Sequence, residues 1–341
     1  MPELLPVQTN LEQLRHQAKD LLRAAKAGDA DARARIAAVS DRLALASAQL
    51  ALAREYGFAS WPRLKREVER REILTGRDLD RLGRLLSDQP ELAKIKMEHW
   101  RDHRQALPLG FMAMLRFDAD RLGLPRELPG TGAVAQTLID AGAPVDGDPG
   151  DSETPLITAA SYGDAEVAKV LIEAGADVDA RSAPDSGGVP GGSALLHAAV
   201  FGMTDVLDLL VGAGAEVTSL EEAAAAGDVT GWLTPESDLQ TRIRALVFAA
   251  DHERLAVIDE LVDAGTPVDA FDEVWGRQAL RIAAENGRPA SVGRLLQRGA
   301  DPNLRDREGR TALDWCRAES GRFDSSGHEQ VDAILRPLTA D

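Results

Sequence analysis

Aromatic side chains are scarce: 4% of the 341 residues, with only 2 Tyr. So thin a supply argues against an aromatic-lined groove for stacking sugars or bases. Cysteine is scarcer still. Cys316 stands alone, so no intrachain disulfide can form, and a reducing cytoplasm is the expected setting. No apolar run approaches the length needed to span a bilayer. The N-terminal stretch carries Glu3, Glu12, Arg15, Lys19 and Asp20 where a signal peptide needs an apolar core. A cytoplasmic chain without a membrane partner is therefore expected.

Positive charge is missing from the middle of the chain. Residues 128–276 hold 5 Lys+Arg against 27 Asp+Glu, whereas residues 1–127 hold 23 against 19. The acidic middle repels phosphate backbones, which excludes nucleic acid from that surface. It attracts a basic protein partner and speeds encounter with one, or it simply keeps a long chain soluble. Both readings stand at this point. What remains is ordinary for a core-forming soluble chain, with 44% hydrophobic and 28% charged residues.

The chain repeats itself. Residues 154–179 read TPLITAASYGDAEVAKVLIEAGADVD, and residues 193–218 read SALLHAAVFGMTDVLDLLVGAGAEVT. The same pattern returns at 244–269, at 278–303, and from Thr311. Within each segment the alignment has no gaps, so the uneven offsets of 39, 51, 34 and 33 residues lie in the connections. Leu195, Ala198 and Ala199 put small apolar side chains on one helical face. Gly163, Gly202 and Gly287 stop that first helix. Val167, Val170 and Leu171 then form an apolar set at i, i+3 and i+4. Each segment is thus a helix, a turn and a second helix, and neither helix can bury its face alone, so the segments must stack.

These residues resemble ankyrin repeats. Thr154-Pro155-Leu156 and the run Asp306-Arg307-Glu308-Gly309-Arg310-Thr311-Ala312-Leu313 match the family's opening pattern, and Gly175-Ala176-Asp177-Val178-Asp179 matches its closing one. His197 lies one place beyond the motif's histidine position, so the family's hairpin network is expected to be missing or rebuilt. The resemblance implies an all-α ankyrin-repeat solenoid over residues 104–341, ending in a capping repeat around Val331, Ile334 and Leu335. Residues 106–146 look like one repeat with a long insertion between its helices. Residues 219–239 look like one with a shortened second helix.

Residues 1–76 are helical without the repeat. Asn10 and Gln13 form a capping box before LEQLRHQAKDLLRAA, which Gly28 ends. Ser60-Trp61-Pro62 opens a charged helix whose Arg63, Lys65, Arg66, Glu67, Glu69, Arg70 and Arg71 are expected to form a solvated face. The stretch Ala53–Pro62 resembles the N-terminal helical region of bacterial ankyrin-repeat proteins. It implies a cap over residues 1–76, with residues 77–103 as a degenerate joining segment.

Signals for catalysis are weak. Gly130-x-Gly132-x-x-Ala135 fits a dinucleotide fingerprint but follows no buried strand, so it is expected to be an inter-helix loop. His99 and His103 lie one helical turn apart with Asp102 between, which could hold zinc. No third ligand is evident, so exposed polar residues of a joining helix compete with that reading. Cys316 has no neighbouring histidine. His16, His252 and His328 are isolated in sequence. The expectation is a non-enzymatic monomer without metal or cofactor. The alternative is an enzyme or metal-binding protein built from inter-repeat insertions and the His99/His103 pair.

In ankyrin arrays partners contact the hairpin tips and the exposed end of each first helix. Carried over repeat by repeat, those first-helix positions are Ser161, Tyr162, Val200, Phe201, Asp251, His252, Glu285 and Asn286. The tips include Asp151, Glu153, Val274, Trp275, Arg307 and Glu308. Tyr162, Phe201 and Trp275 are large aromatics where the scaffold needs none, and either anchor a partner or pack on a neighbouring repeat. The resemblance implies a scaffold, adaptor or inhibitor that holds a protein partner against the concave face. The loop at 182–192, SAPDSGGVPGG, is read either as a mobile contact element or as a tolerated insertion.

Overall fold

The computed structural model describes Leu5 and residues 9–98, 106–125, 127–319 and 325–339. Among them are eighteen α-helices, a short 3-10 turn and a single isolated β-bridge between Arg181 and Ser193. None of the helices is long and apolar enough to cross a membrane. The chain divides into two compact units, residues 1–155 with 169–176, and residues 156–168 with 177–341.

The first unit opens with α1 (Leu11–Ala27), α2 (Ala30–Ala37), α3 (Leu45–Glu55) and α4 (Trp61–Gly76). The Asn10 side chain accepts the Gln13 amide at 2.8 Å, and Gly28 closes α1 at φ 102°. The Leu11 amide donates to Glu72 on α4. Phe58, Leu14, Leu64 and Val68 share one apolar cluster; Leu21, Ala25, Ile36 and Ala48 share a second. Next come α5 (Leu79–Asp88), the 3-10 turn Pro90–Ala93, α6 (Pro108–Leu122) and α7 (Thr131–Asp140). α4 packs on α5 and α6, and α5 on α7. The expected long insertion between the helices of residues 106–146 is largely helix, because α6 runs on to Leu122 before Gly123 stops it at φ 66°.

The charged face expected to be solvated on α4 is partly buried. Glu67 and Arg70 are 5% and 3% exposed and pair at 2.6 Å. Arg70 also donates to the carbonyls of Leu92, Ile95 and Lys96, and Glu67 accepts the Glu98 amide at 3.0 Å. The non-helical stretch after the 3-10 turn has no ladder to satisfy its backbone groups, and this ion pair supplies the partners. Burial pushes the neighbouring Arg71 down to about 10, against the pull of Glu67.

The unit boundary falls within the pair α8 (Pro155–Tyr162) and α9 (Ala165–Glu173). In the second unit follow α10 (Ala194–Val200), α11 (Thr204–Gly212), α12 (Leu220–Ala226), α13 (Leu239–Asp251), α14 (Leu255–Asp263), α15 (Ala279–Glu285), α16 (Pro289–Gln297), α17 (Ala312–Glu319) and α18 (Ser325–Leu335). α10, α12, α13, α15 and α17 pack in series, as do α14, α16 and α18. Fully buried alanines (Ala198, Ala199, Ala249, Ala283, Ala284) let the first helices approach closely. Second helices end alike: the amides of Ala215, Thr266 and Ala300 reach back to Leu210, Leu261 and Leu295 across left-handed Gly214, Gly265 and Gly299.

The repeat at 219–239 has no second helix. After Gly227 the chain turns through residues 228–238, with Gly231 at φ 79° and Pro235 breaking any helical run, and buried Val229 plugging the gap. In the last repeat Val331 and Leu335 are buried on α18, and Ile334 is half-buried.

Candidate protein-interaction surface

The hairpin tip at 272–277 is held by one buried carboxylate. Asp272 is 1% exposed. Its Oδ1 accepts the amides of Val274 at 3.0 Å and Trp275 at 2.7 Å, and its Oδ2 accepts that of Arg277 at 2.6 Å. Its own amide donates to the Arg277 carbonyl, and the Glu273 amide donates to Gln240 at the start of α13. Charge-assisted bonds of this kind are the strong ones, so the tip is set before any partner arrives. It displays Val274, 64% exposed, and Trp275, 48% exposed. The indole stacks on Phe248 of α13, with ring centroids 6.4 Å apart. Arg277 lies 5.5 Å from the indole centroid and reaches the carbonyl of Val200, beside Phe201, itself 40% exposed.

The next tip uses the same device and also binds an aromatic, Trp315 of α17. Asp306 accepts the amides of Glu308 and Arg310, and its other oxygen accepts the Trp315 indole N–H at 2.8 Å. Burial pushes the Asp306 carboxyl up, but these donors and the nearby arginines hold it below its ordinary range. Arg281 and Arg310 stack on Trp315 at 3.9 and 3.4 Å from its centroid. Trp315 is thus covered closely by two cations of its own chain, while Trp275, with Arg277 farther off at 5.5 Å, remains 48% exposed.

Several expected contact residues serve the scaffold. Ser161 is buried, donates to Ile157 and lies 2.8 Å from His197 Nδ1. Asp251 is 2% exposed; its Oδ1 accepts from Asn286 at 2.8 Å, with Arg288 nearby. His252 is 1% exposed, with Nδ1 on Thr204 and Nε2 on the Ala199 carbonyl at 3.0 Å. His328 repeats the move on the Glu285 carbonyl at 2.9 Å. These findings correct the partner-facing reading of Ser161, Asp251 and His252, and the reading of His252 and His328 as isolated. Each imidazole reaches a carbonyl at the open end of an earlier first helix, which lacks intrahelical partners. The hairpin network is therefore rebuilt, on histidines outside the motif position.

Two glycines admit this arrangement. Gly202 at φ 71° would place a Cβ 3.0 Å from the Asp251 oxygens, and Gly287 at φ 63° would place one 2.8 Å from His328 Nδ1. The loop at 182–192 is pinned. The Val189 carbonyl accepts from Ser182, Gly192 and His197.

Of the remaining candidates, Glu153, Tyr162, Val200, Glu285 and Asn286 are half-buried, and Phe201 and Trp275 stand out. Asp148 and Asp151 hold Lys96 at 3.1 and 3.0 Å, raising its pKa. Gly130-x-Gly132 is no loop: Gly130 is the left-handed N-cap of α7, and Gly132 and Ala135 are buried in that helix. His99 and His103 lie outside the described residues. Among the described residues no group of three or more His, Cys, Asp or Glu could hold a metal ion. Burial pushes the Cys316 thiol up, away from the thiolate a nucleophile needs.

The tip carboxylates were missed in sequence. Asp272 and Asp306 each precede an arginine by five and four residues, which is a faint signal. The Asp that closes each Gly-x-x-Val-Asp run carries a clearer one. Asp179 accepts the Glu216 amide at 2.7 Å and Asp269 that of Asp301 at 3.0 Å, one repeat further on.

Comparison with known proteins follows the same lines. A model of ankyrin repeats (3 copies) matches residues 130–221, and a single ankyrin-repeat model matches residues 275–307. The chain is 40% identical over 86 residues to the E3 ubiquitin-protein ligase hecd-1 of Caenorhabditis elegans; the match covers 25% of this chain and 3% of that protein. Among solved structures it is similar to the human ASB11 ankyrin repeat domain, at 20% identity and a TM-score of 0.33, over 67% of this chain and 97% of that one. With helix pairs, glycine-ended second helices and hairpin tips where these models match, the chain carries an all-α ankyrin-repeat domain preceded by N-terminal helices.

Proposed function

We propose that the chain is a non-catalytic scaffold or adaptor that holds a protein partner on the tips and first-helix ends of its repeats. One observation carries this reading: a rigid, carboxylate-pinned tip presents Val274 and Trp275 to solvent. Such ordered aromatic anchors are what interfaces use for affinity. Phe201 extends the surface, with Tyr162, Val200, Glu285 and Asn286 half-exposed on other first helices. Glu153 is a candidate contact on a separate tip. The N-terminal helices of residues 1–76 act as a cap and residues 77–103 as a joining segment, a role supported by the packing of α4 and α5 on α6 and α7.

The test is affinity capture from extracts of the native cell. The chain is compared with a Tyr162→Ala/Phe201→Ala/Trp275→Ala variant of unchanged melting temperature. Specific partners are expected to be lost from the variant. Identical captured sets from both proteins would remove the reading.

A further inference from the structure

We propose that the Val274–Trp275 tip and Phe201 form a docking strip for a cationic, apolar peptide segment, one in which Lys or Arg alternates with large aliphatic side chains. This inference rests on the scaffold reading above and names the chemistry of its partner.

Three observations converge on it. The first is apolar exposure in one place. Val274, Trp275 and Phe201 stand out around the Arg277 side chain, and Leu239, 43% exposed, lies next to the Gln240 that holds the tip. The indole is backed by Phe248 and flanked by Arg277, and its 48% exposed surface offers an aliphatic side chain apolar area to bury.

The second is order. Asp272 fixes the amides of Val274, Trp275 and Arg277, so little conformational freedom remains to be lost when a ligand binds.

The third is charge. Residues 177–276 hold nineteen Asp and Glu against four Arg. All four arginines are engaged within the chain: Arg181 on the Gly191 carbonyl, Arg242 on that of Ala264, Arg244 on Glu221, and Arg254 on Asp208 and the Ala225 carbonyl. Just beyond, Arg277 is drawn to the Val200 carbonyl and Arg281 to Glu285 and the Gly276 carbonyl. Meanwhile Glu236, Asp238 and Glu273 are exposed on the two segments that the Glu273–Gln240 bond joins. Apart from Arg277, which lies against the indole and donates to the Val200 carbonyl, the exposed charges on those two segments are acidic. An acidic ligand meets repulsion there; a basic one meets attraction and loses it with salt.

The experiment titrates the purified full chain into fluorescently labelled peptides and follows anisotropy. A short lysine–leucine peptide is compared with glutamate–leucine and lysine–serine versions of the same length. The lysine–leucine peptide is expected to bind tightest, more weakly at high salt. Trp275→Ala is expected to weaken it by about tenfold or more, and Val274→Ser, at a side chain too exposed to support the fold, by a smaller factor. The proposal is overturned if the glutamate–leucine or lysine–serine peptide binds as well. It is equally overturned if neither substitution changes the lysine–leucine affinity. Either failure removes the assigned partner chemistry and strip while leaving the capture experiment to judge the scaffold reading separately.

Discussion

The two units meet one physical demand with different side chains. In each, backbone carbonyls at the end of a helix or in a non-helical stretch need donors. In the first unit Arg70, buried beside Glu67, serves the carbonyls of Leu92, Ile95 and Lys96. In the second, His252 and His328 serve Ala199 and Glu285. A guanidinium offers several donors in a fixed fork and stays charged, so it can tie down an irregular stretch, but it must be buried with a counter-ion. A neutral imidazole offers one donor, suited to the single open end of a short helix, and needs no counter-ion. Its drawback is that it titrates near neutrality. Irregular chain calls for the ion pair; repeated geometry is served by a smaller neutral device.

That contrast can be broken most sharply at Arg70. Arg70→Ala leaves the buried Glu67 with only Arg71, at 3.7 Å, as its ion-pair partner and three carbonyls short of a donor, so a loss of about 3–5 kcal/mol in unfolding free energy is expected. Amide exchange over residues 90–98 should quicken at the same time. A Glu67→Met/Arg70→Met double variant tests the electrostatic part: it should recover much of that loss, and failure to do so would point to the carbonyl contacts alone. In the second unit the matching probe is apolar. Leu210, fully buried on α11, is expected to cost about 2–5 kcal/mol when cut to alanine, read by chemical denaturation.

A smaller effect separates the two devices by pH. Burial holds the His252 pKa below its ordinary value; Asp251 opposes this, and Arg288 and Arg254 add to it. A folded-state pKa below the unfolded one means that the unfolded chain binds the proton more readily. The contribution of His252 is therefore complete above about pH 6.5 and is lost as pH falls from there through the lowered folded value. The melting temperature should drop between neutral and mildly acidic pH, and His252→Gln should flatten that slope. An unchanged slope in the variant would move the acid sensitivity elsewhere. The smallest stability effect is expected at Trp275→Ala, within about 0.5–1 kcal/mol, because the side chain is half exposed and only stacks on Phe248. A large drop in melting temperature there would make Trp275 a packing residue.

Much of the repeat was legible in the residues. Its alanines, its glycine stops and its i, i+3, i+4 apolar sets are local patterns, and local patterns survive in one dimension. Exposure at the expected contact positions was legible only in part. Phe201 and Trp275 stand exposed as the resemblance implies, but Ser161, Asp251 and His252 occupy equivalent places and are buried. What separates them is which donor or acceptor the neighbouring repeat offers. Asp251 turns inward because Asn286 and Arg288 are there to meet it. Asp272 binds the backbone amide of Trp275 and leaves its indole exposed, whereas Asp306 binds the Trp315 indole itself and Arg281 and Arg310 cover the ring. The shortened second helix expected at 219–239 does not form, because Gly227, Gly231 and Pro235 break any helical run after α12.

The order of amino acids by itself determined that helices form in pairs, where they stop, and that the middle of the chain is acidic. Periodicity, glycine and charge act over a few residues and need no folded context. Tertiary structure decided which polar side chains are consumed between repeats and which aromatic is left open. The first outcome depends on hydrogen-bond partners 35 to 53 residues away, such as Asn286 for Asp251 and Ala199 for His252, and the second on ring contacts such as that of Arg281 with Trp315. A buried polar group goes wherever such a partner exists, and spacing along the chain does not say where that is.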